Sequence, residues 1–448
     1  MLKLFFWLRY IRKRRIVLLS IAAVAMSVCL LIVVASLFTG FIEAFESSAV
    51  DVVGDVVLAA PQGVTFDQYP ALIERLERTD LVEAGAATLS CDGLLHVGAG
   101  NVRGVTVWGI EPAHRARVTK LRDALLRQKQ MPGELSFDVP GMPDKVGGFV
   151  GIGIVADPNA RTDVYDQNAI LTQMVGQQVL VTTGTISEAP GGAGEPRRVV
   201  VPFHIADVVF SGVYQLDESL VYVPIGVLQR ALYPDETGSL ATSIHVRLKP
   251  NTDPELAVTH IRELWRDFAA SELGWNPYLI SATRISTARQ MQHEYVEEIR
   301  KQMGVLLLVF GVISFSVVAL VFCIFYMIVR LKRKDVAIMK SCGASGFSIA
   351  WIFLGFGVSV GIMGTALGAV FGYVITANIN TIEGWVRATF GLKLWQSSVY
   401  MFDKIPNVVD WDWALLFAGL SIVAAAVGAL LPAVLAAGTR PVEVLRYE

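Results

Sequence analysis

The chain has 448 residues, of which 53% are hydrophobic and only 17% are charged. That balance excludes a disordered chain and is too apolar for an ordinary soluble domain. Lys and Arg number 38 against 40 Asp and Glu, a net charge of -2 that leaves no electrostatic footprint for a nucleic-acid partner.

In chain order, residues 1–15 carry a basic cluster, Arg9, Arg12, Lys13, Arg14 and Arg15, and residues 16–42 follow without a charge. Crossing hydrocarbon as a helix takes roughly 20 apolar residues, so this run predicts a first transmembrane helix. A cleavable signal peptide is the competing reading. The run is about twice the usual signal core, and Phe38, Phe41 and Phe45 continue it where small residues would precede a cleavage site.

Residues 43–302 have ordinary charge, glycine and proline usage and predict a large α+β domain outside the membrane, in two subdomains. Strands are expected at 52–59, 178–183, 198–204, 220–224 and 243–248. Helices are expected at 69–79, where Leu72, Ile73 and Leu76 keep helical spacing, at 225–232 and at 254–272. The Gly- and Pro-rich stretch 184–196 reads as a hairpin tip or loop. From 284 to 302, Ile285, Ala288, Met291, Tyr295 and Ile299 recur every three or four residues among charges. This pattern predicts an amphipathic stalk helix running into the next apolar run.

Three more uncharged runs, 303–329, 347–375 and 413–435, complete a four-helix membrane domain. The short connection 330–346 holds Arg330, Lys332, Arg333, Lys334 and Lys340, which with the N-terminal cluster places both termini (the second being 436–448) and this connection in the cytoplasm. The domain at 43–302 and the loop 376–412 then lie on the outer side. Trp385, Trp395, Tyr400, Trp411 and Trp413 suit an interfacial belt. In the third run Gly357, Gly361, Gly364, Gly368 and Gly372 fall three or four apart and predict close helix packing within the subunit. Cys29 and Cys323 fall in membrane runs, Cys342 in the cytoplasmic connection and Cys91 alone outside, so no disulfide within the outer domain is possible.

Catalytic chemistry is not legible. The chain has no Gly-Lys dipeptide, hence no standard phosphate-cradling loop. Gly151, Gly153 and Ala156 imitate a dinucleotide fingerprint, but Asp157-Pro158 follows where its helix should run. His293-Glu294 begins like a zinc-protease helix, yet Glu297 stands where the second His is required. No catalytic residue, metal ligand or cofactor of this chain is expected, and no intramembrane charge marks an ion path.

The connection Lys332-Arg333-Lys334-Asp335-Val336-Ala337-Ile338-Met339-Lys340-Ser341-Cys342-Gly343-Ala344-Ser345 suits a short helix ended by Gly343. At these residues the chain resembles permeases of ATP-binding-cassette systems of the MacB and FtsX superfamily. In that family a basic residue, an acidic one, an apolar triplet and Gly-Ala form a coupling helix that docks in a cleft of the ATPase. The resemblance assigns that role to Lys334, Asp335, Val336, Ile338, Met339, Ser341, Gly343 and Ala344, and an FtsX-like permease domain to about 303–441. A narrower resemblance, to lipoprotein-releasing permeases of the Lol type, rests on Phe203-His204-Ile205-Ala206-Asp207 through Gly212 and Asp217, on Val221-Tyr222-Val223-Pro224, on residues 399–406 and on the ending 441–448.

This resemblance implies an inner-membrane permease subunit, itself no enzyme, paired with an identical or sister permease. Two ATPase subunits would bind ATP and Mg, and a lipoprotein taken from the outer leaflet would pass to a periplasmic carrier. A hairpin at Gly184, Ile186, Pro190 and Pro196 would correspond to the carrier-binding projection, although here it is Gly-rich and lacks the bulky apolar pattern expected of one. Two other readings stay open. One is a MacB- or FtsX-like device for efflux, secretion or control of a cell-wall hydrolase; the other is a membrane-anchored interaction domain that performs no transport.

Overall fold

The computed structural model describes residues 15–98, 100–159, 164–187, 195–391, 395, 402 and 404–440. Arg9, Arg12, Lys13, Arg14, Tyr400 and the ending 441–448 lie outside the described residues. The chain divides into two compact units, one of Met1–Glu43, Tyr295–Gly384 and Ile405–Glu448, the other of Ala44–Glu294 and Trp385–Lys404.

Among the described residues, four helices are long and apolar enough to cross a membrane: α1 (Arg15–Val53), α7 (His293–Leu331), α9 (Gly346–Ala377) and α11 (Trp411–Ala437). In the first unit α1 buries Val17, Ile21, Val24, Val28 and Ile32 in one stripe, spaced three or four apart as a helix face requires. In the same buried apolar cluster lie Val321, Phe325 and Ile328 of α7, Phe356 and Val360 of α9, and Ala429 of α11. Ser27 and Ser314 share a hydroxyl hydrogen bond at 2.7 Å between α1 and α7, which keeps both polar groups satisfied among apolar neighbours.

The second unit is built on one nine-stranded sheet: β1 (Val56–Ala59), β2 (Val82–Val97), β3 (Asn101–Ile110), β4 (Gly147–Gly151), β5 (Gln178–Ser187), β6 (Glu195–Val209), β7 (Leu220–Pro224), β8 (Ser243–Leu248) and β9 (Arg284–Thr287). The 16-residue β2 does two jobs. Its first half pairs with β8, which continues to β1 and β9, while its second half pairs with β3 on one side and β5 on the other. Because β3 continues through β7, β4 and β6 back to β5, six strands close into a ring with no free edge. The two subdomains expected here therefore share one sheet. Helices α2 (Tyr69–Glu77), α3 (Pro112–Val118), α4 (Gln167–Met174), α5 (Ile225–Leu232) and α6 (Pro254–Ser271) belong to the same unit. α6 buries Trp265 and Phe268, and the Trp265 ring meets Phe66 edge-on at 5.0 Å.

Several boundaries differ from the sequence expectation. Val52 and Val53, read as the start of a strand, are the last turn of α1. Residues 284–287, read as stalk helix, are β9: Ile285 turns into the core because the segment pairs with β1 from Val56↔Thr287 to Ala59↔Arg284. The helix that carries the charged segment starts at His293. The loop expected at 376–412 contains a further helix, α10 (Ile379–Phe390), and α8 (Arg333–Ser341) fills the connection between α7 and α9.

Candidate functional site

Helix α8 is a short, amphipathic element pinned on one side. Val336 and Ala337 are buried, Val336 against Val329, Ile349 and Ala436 from the ends of α7, α9 and α11. Lys340 donates from Nζ to the carbonyls of Ala437 (2.5 Å) and Thr439 (2.9 Å), so its charge meets the negative end of the α11 dipole. Gly343 ends the helix in a left-handed turn (φ +93°), with its amide on the Lys340 carbonyl and the Ala344 amide on the Met339 carbonyl. This is the paired-bond helix stop that a glycine permits at no steric cost. Ser345 then caps α9 by accepting from the Ser348 amide at 3.2 Å.

The opposite face of α8 is open. Lys334, Asp335, Ile338, Met339, Ser341 and Cys342 are exposed, with Ile338 at 53% and Met339 at 36%. Asp335, Ile338, Met339 and Cys342 lie one helical turn apart in sequence, so an apolar pair sits between polar ends on one stripe. Lys332 pairs with Asp335 across the first turn. The coupling residues inferred from sequence thus divide. Lys334, Asp335, Ile338, Met339 and Ser341 are exposed, Gly343 and Ala344 form the stop, and Val336 faces inward at 1% exposure, where it anchors the helix instead of meeting a partner. Sequence reasoning missed the anchoring role of Lys340; its position in the last turn was the available signal.

The glycine stripe of α9 serves two neighbours. A Cβ at Gly357 would overlap the Ala429 methyl of α11, and one at Gly361 would stand 2.9 Å from the Ala425 methyl. Further along, a Cβ at Gly364 would lie 2.7 Å from Val24 Cβ, at Gly368 2.6 Å from the Ala25 carbonyl oxygen, and at Gly372 3.1 Å from Ile32 Cγ2, all in α1. The first two glycines admit α11 and the last three admit α1.

In the second unit, the strands of the β5–β6 hairpin extend into the stretch read as a loop, from Gly184↔Arg198 to Ser187↔Glu195, with Ile186 opposite Pro196. Pro190 and the tip 188–194 lie outside the described residues. The dinucleotide-like glycines have another use. A Cβ at Gly151 would strike the Asp217 carbonyl, and one at Gly153 would stand 2.8 Å from Glu218 Cγ, so these glycines let the end of β4 and the turn after it pass close to residues 217–218. Asp217 itself accepts from the Ser211 amide and hydroxyl and the Gly212 amide, and Asp207 from the amides of Arg127, Gln128 and Val208. Both carboxylates are structural anchors. Among the described residues no group of three His, Cys, Asp or Glu is placed to hold a metal ion.

Comparison with known proteins places two family models on the chain: the MacB-like periplasmic core domain over residues 17–264 and the FtsX-like permease C-terminal region over residues 307–441. The chain is 28% identical to the lipoprotein-releasing system transmembrane protein LolC of Neisseria meningitidis serogroup B, over 98% of both chains. It is 25% identical to the lipoprotein-releasing system transmembrane protein LolE of Haemophilus influenzae, over 95% of this chain and 93% of that one. The periplasmic region of MacB from Actinobacillus actinomycetemcomitans matches 55% of this chain and 94% of its own, at 14% identity and a TM-score of 0.32.

Proposed function

Since the chain belongs to the family of the MacB-like periplasmic core domain and carries an FtsX-like permease region, we propose that it is the permease subunit of an ABC transporter that releases lipoproteins. The observation that carries this reading is end-to-end similarity to LolC and LolE proteins, which no shared single domain would produce. In this reading α1, α7, α9 and α11 cross the inner membrane with termini and α8 in the cytoplasm, and the nine-stranded unit stands in the periplasm. ATP and Mg bind to a partner ATPase dimer, and a second permease subunit, identical or a sister, completes the membrane part. The exposed stripe of α8 docks on the ATPase, and closure of the ATPase displaces α8 together with the helix ends it is pinned to.

The physical demand fits a work stroke. Drawing acyl chains out of the outer leaflet costs about 0.8 kcal/mol per CH₂ exposed, so lipoprotein does not leave the bilayer unaided, and a periplasmic carrier must shelter the chains afterwards. The test is transfer of a lipoprotein from proteoliposomes holding this chain, its cognate ATPase and any sister permease to soluble carrier, with and without ATP. ATP-dependent transfer is the expected result. No transfer, with ATPase binding and turnover intact, overturns lipoprotein release and moves the function to efflux or mechanical signalling.

A further inference from the structure

The C-terminal turns of α1, from Ala44 to Val53, belong to the second unit, and the helix end is held there in a way that simple packing does not require. A helix leaves its last four carbonyls without internal partners. Here all four are met: Val50 O by the Gly54 amide at 2.9 Å, Asp51 O by the Lys120 amide at 2.9 Å, Val52 O by Arg115 Nη2 at 2.6 Å and Val53 O by His245 Nδ1 at 2.7 Å. Gly54 turns the chain at φ +86°, where a Cβ would stand 2.8 Å from Val118 Cγ1, so the turn admits glycine alone.

Arg115 is the unusual member. It is 1% exposed, gives a second bond to Thr88 Oγ1 at 2.9 Å, and lies with its guanidinium carbon 4.8 Å from the centre of the Trp108 ring. Among the described residues no carboxylate pairs with it; the negative end of the α1 dipole and the face of Trp108 stand in for one. Burial lowers its pKa to about 10, which still leaves it cationic at neutral pH. His245, 3% exposed, is held neutral by burial and by the nearby Arg115 charge, so Nδ1 carries the hydrogen that Val53 accepts while Nε2 faces Ser243 Oγ at 3.1 Å. Burying a cation costs desolvation, which here its hydrogen bonds, the helix dipole and the Trp108 face offset.

The same spot also holds the chain on its way back to α7. Asp55 accepts from the Leu248 amide at 2.8 Å and stands 3.6 Å from Arg247, and its carbonyl accepts from the Ala288 amide at 3.0 Å. Strands β1 and β9, leaving α1 and leading to α7, are paired side by side.

We propose that Arg115, with His245, locks the last turn of α1 onto the sheet within the second unit, so that residues 44–53 and the sheet move as one body during transport, making Arg115 a positioning residue for the power stroke. This inference rests on the function proposed above. The experiment uses the full chain with its cognate ATPase and any sister permease in proteoliposomes, with soluble carrier, comparing wild type with Arg115→Met, which keeps the stem but loses every donor, and Arg115→Lys, which keeps the charge on a single donor nitrogen.

Arg115→Met is expected to hydrolyse ATP at the wild-type rate while lipoprotein released per ATP falls about fivefold or more, with Arg115→Lys intermediate. Amide exchange over residues 49–54 should quicken about tenfold in Arg115→Met, as the helix end opens. Wild-type release per ATP in Arg115→Met overturns the proposal. Should that variant not fold, Arg115→Lys decides: reduced release per ATP supports the lock, and unchanged release with unchanged exchange overturns it. If wild type itself releases nothing, the transport reading fails, and exchange alone then judges the joint: quickened exchange supports it, and unchanged exchange overturns it.

Discussion

Asp207 shows how much a single side chain can organise in the sheet unit. Its carboxylate is fully buried on β6 and accepts from the amides of Arg127 (2.9 Å), Gln128 (2.8 Å) and Val208 (2.8 Å). Burial raises its pKa while those three donors pull it back. Asp207→Ala leaves the amides of Arg127, Gln128 and Val208 without this acceptor, so a loss of about 3 kcal/mol is expected, read as a drop in thermal midpoint. A midpoint unchanged by Asp207→Ala would show that water fills the gap. His245 sets a pH dependence with a definite sign. Its folded pKa lies well below the ordinary value of about 6.5, chiefly through burial and then through Arg115. As pH falls below about 6.5 the unfolded chain takes up the proton first, so the stabilisation is complete above that pH and declines below it, by at most about 1.4 kcal/mol per pH unit. Midpoints of wild type should fall between about pH 7.5 and 5.5 by more than those of His245→Gln. Equal slopes would remove His245 as the sensor.

At the scale of elements, the α9 glycines separate two kinds of tight contact. At Gly368 the atom in the way is the Ala25 backbone oxygen at 2.6 Å, which cannot rotate aside; at Gly372 the nearest atoms, Ile32 Cγ2 at 3.1 Å and Cβ at 3.2 Å, need give way by only a few tenths of an ångström. Gly368→Leu is therefore expected to cost about 3 kcal/mol or more and to deplete folded protein, while Gly372→Ala stays within about 1 kcal/mol. Thermal midpoints in detergent check both, and an equal cost would contradict the packing. This stripe was legible because spacing alone reveals it, as were the apolar helices and the stop at Gly343. The long β2–β3 hairpin was not. Gly85, Asp92 and Gly93 break the alternation of β2, and the glycines are there to let Ile73 and the Thr182 carbonyl approach, a tertiary reason that local pattern does not carry. Ile285 misled for a related cause: its spacing suits a helix, but pairing with β1 decides the outcome. The grip on the α1 end was invisible for the same reason, since Val52, Arg115 and His245 are far apart in sequence and meet only in the fold.

For the whole molecule, the proposed function asks how force from a partner ATPase would enter this chain. The chain has no phosphate-cradling motif, and α8 joins a buried side fastened to three helix ends with an exposed stripe that begins at the Lys332–Asp335 pair and carries two apolar side chains. Fully burying an Ile such as Ile338 at a docked surface contributes about 2 kcal/mol or less, enough to weight one orientation of the ATPase but too little to hold it alone. Replacing Asp335 and Ile338 together by Lys puts two cations on that stripe without touching Val336, Ala337 or Lys340. The thermal midpoint should stay at the wild-type value, because both positions are exposed and the anchors remain. ATP turnover should persist while lipoprotein released per ATP falls about tenfold, since the motor then runs against a helix it no longer grips. Wild-type release by this double variant would mean that force enters elsewhere and that the exposed stripe is only a solvated loop face. A lowered midpoint would instead place Asp335 or Ile338 in the packing of α8, against their exposure.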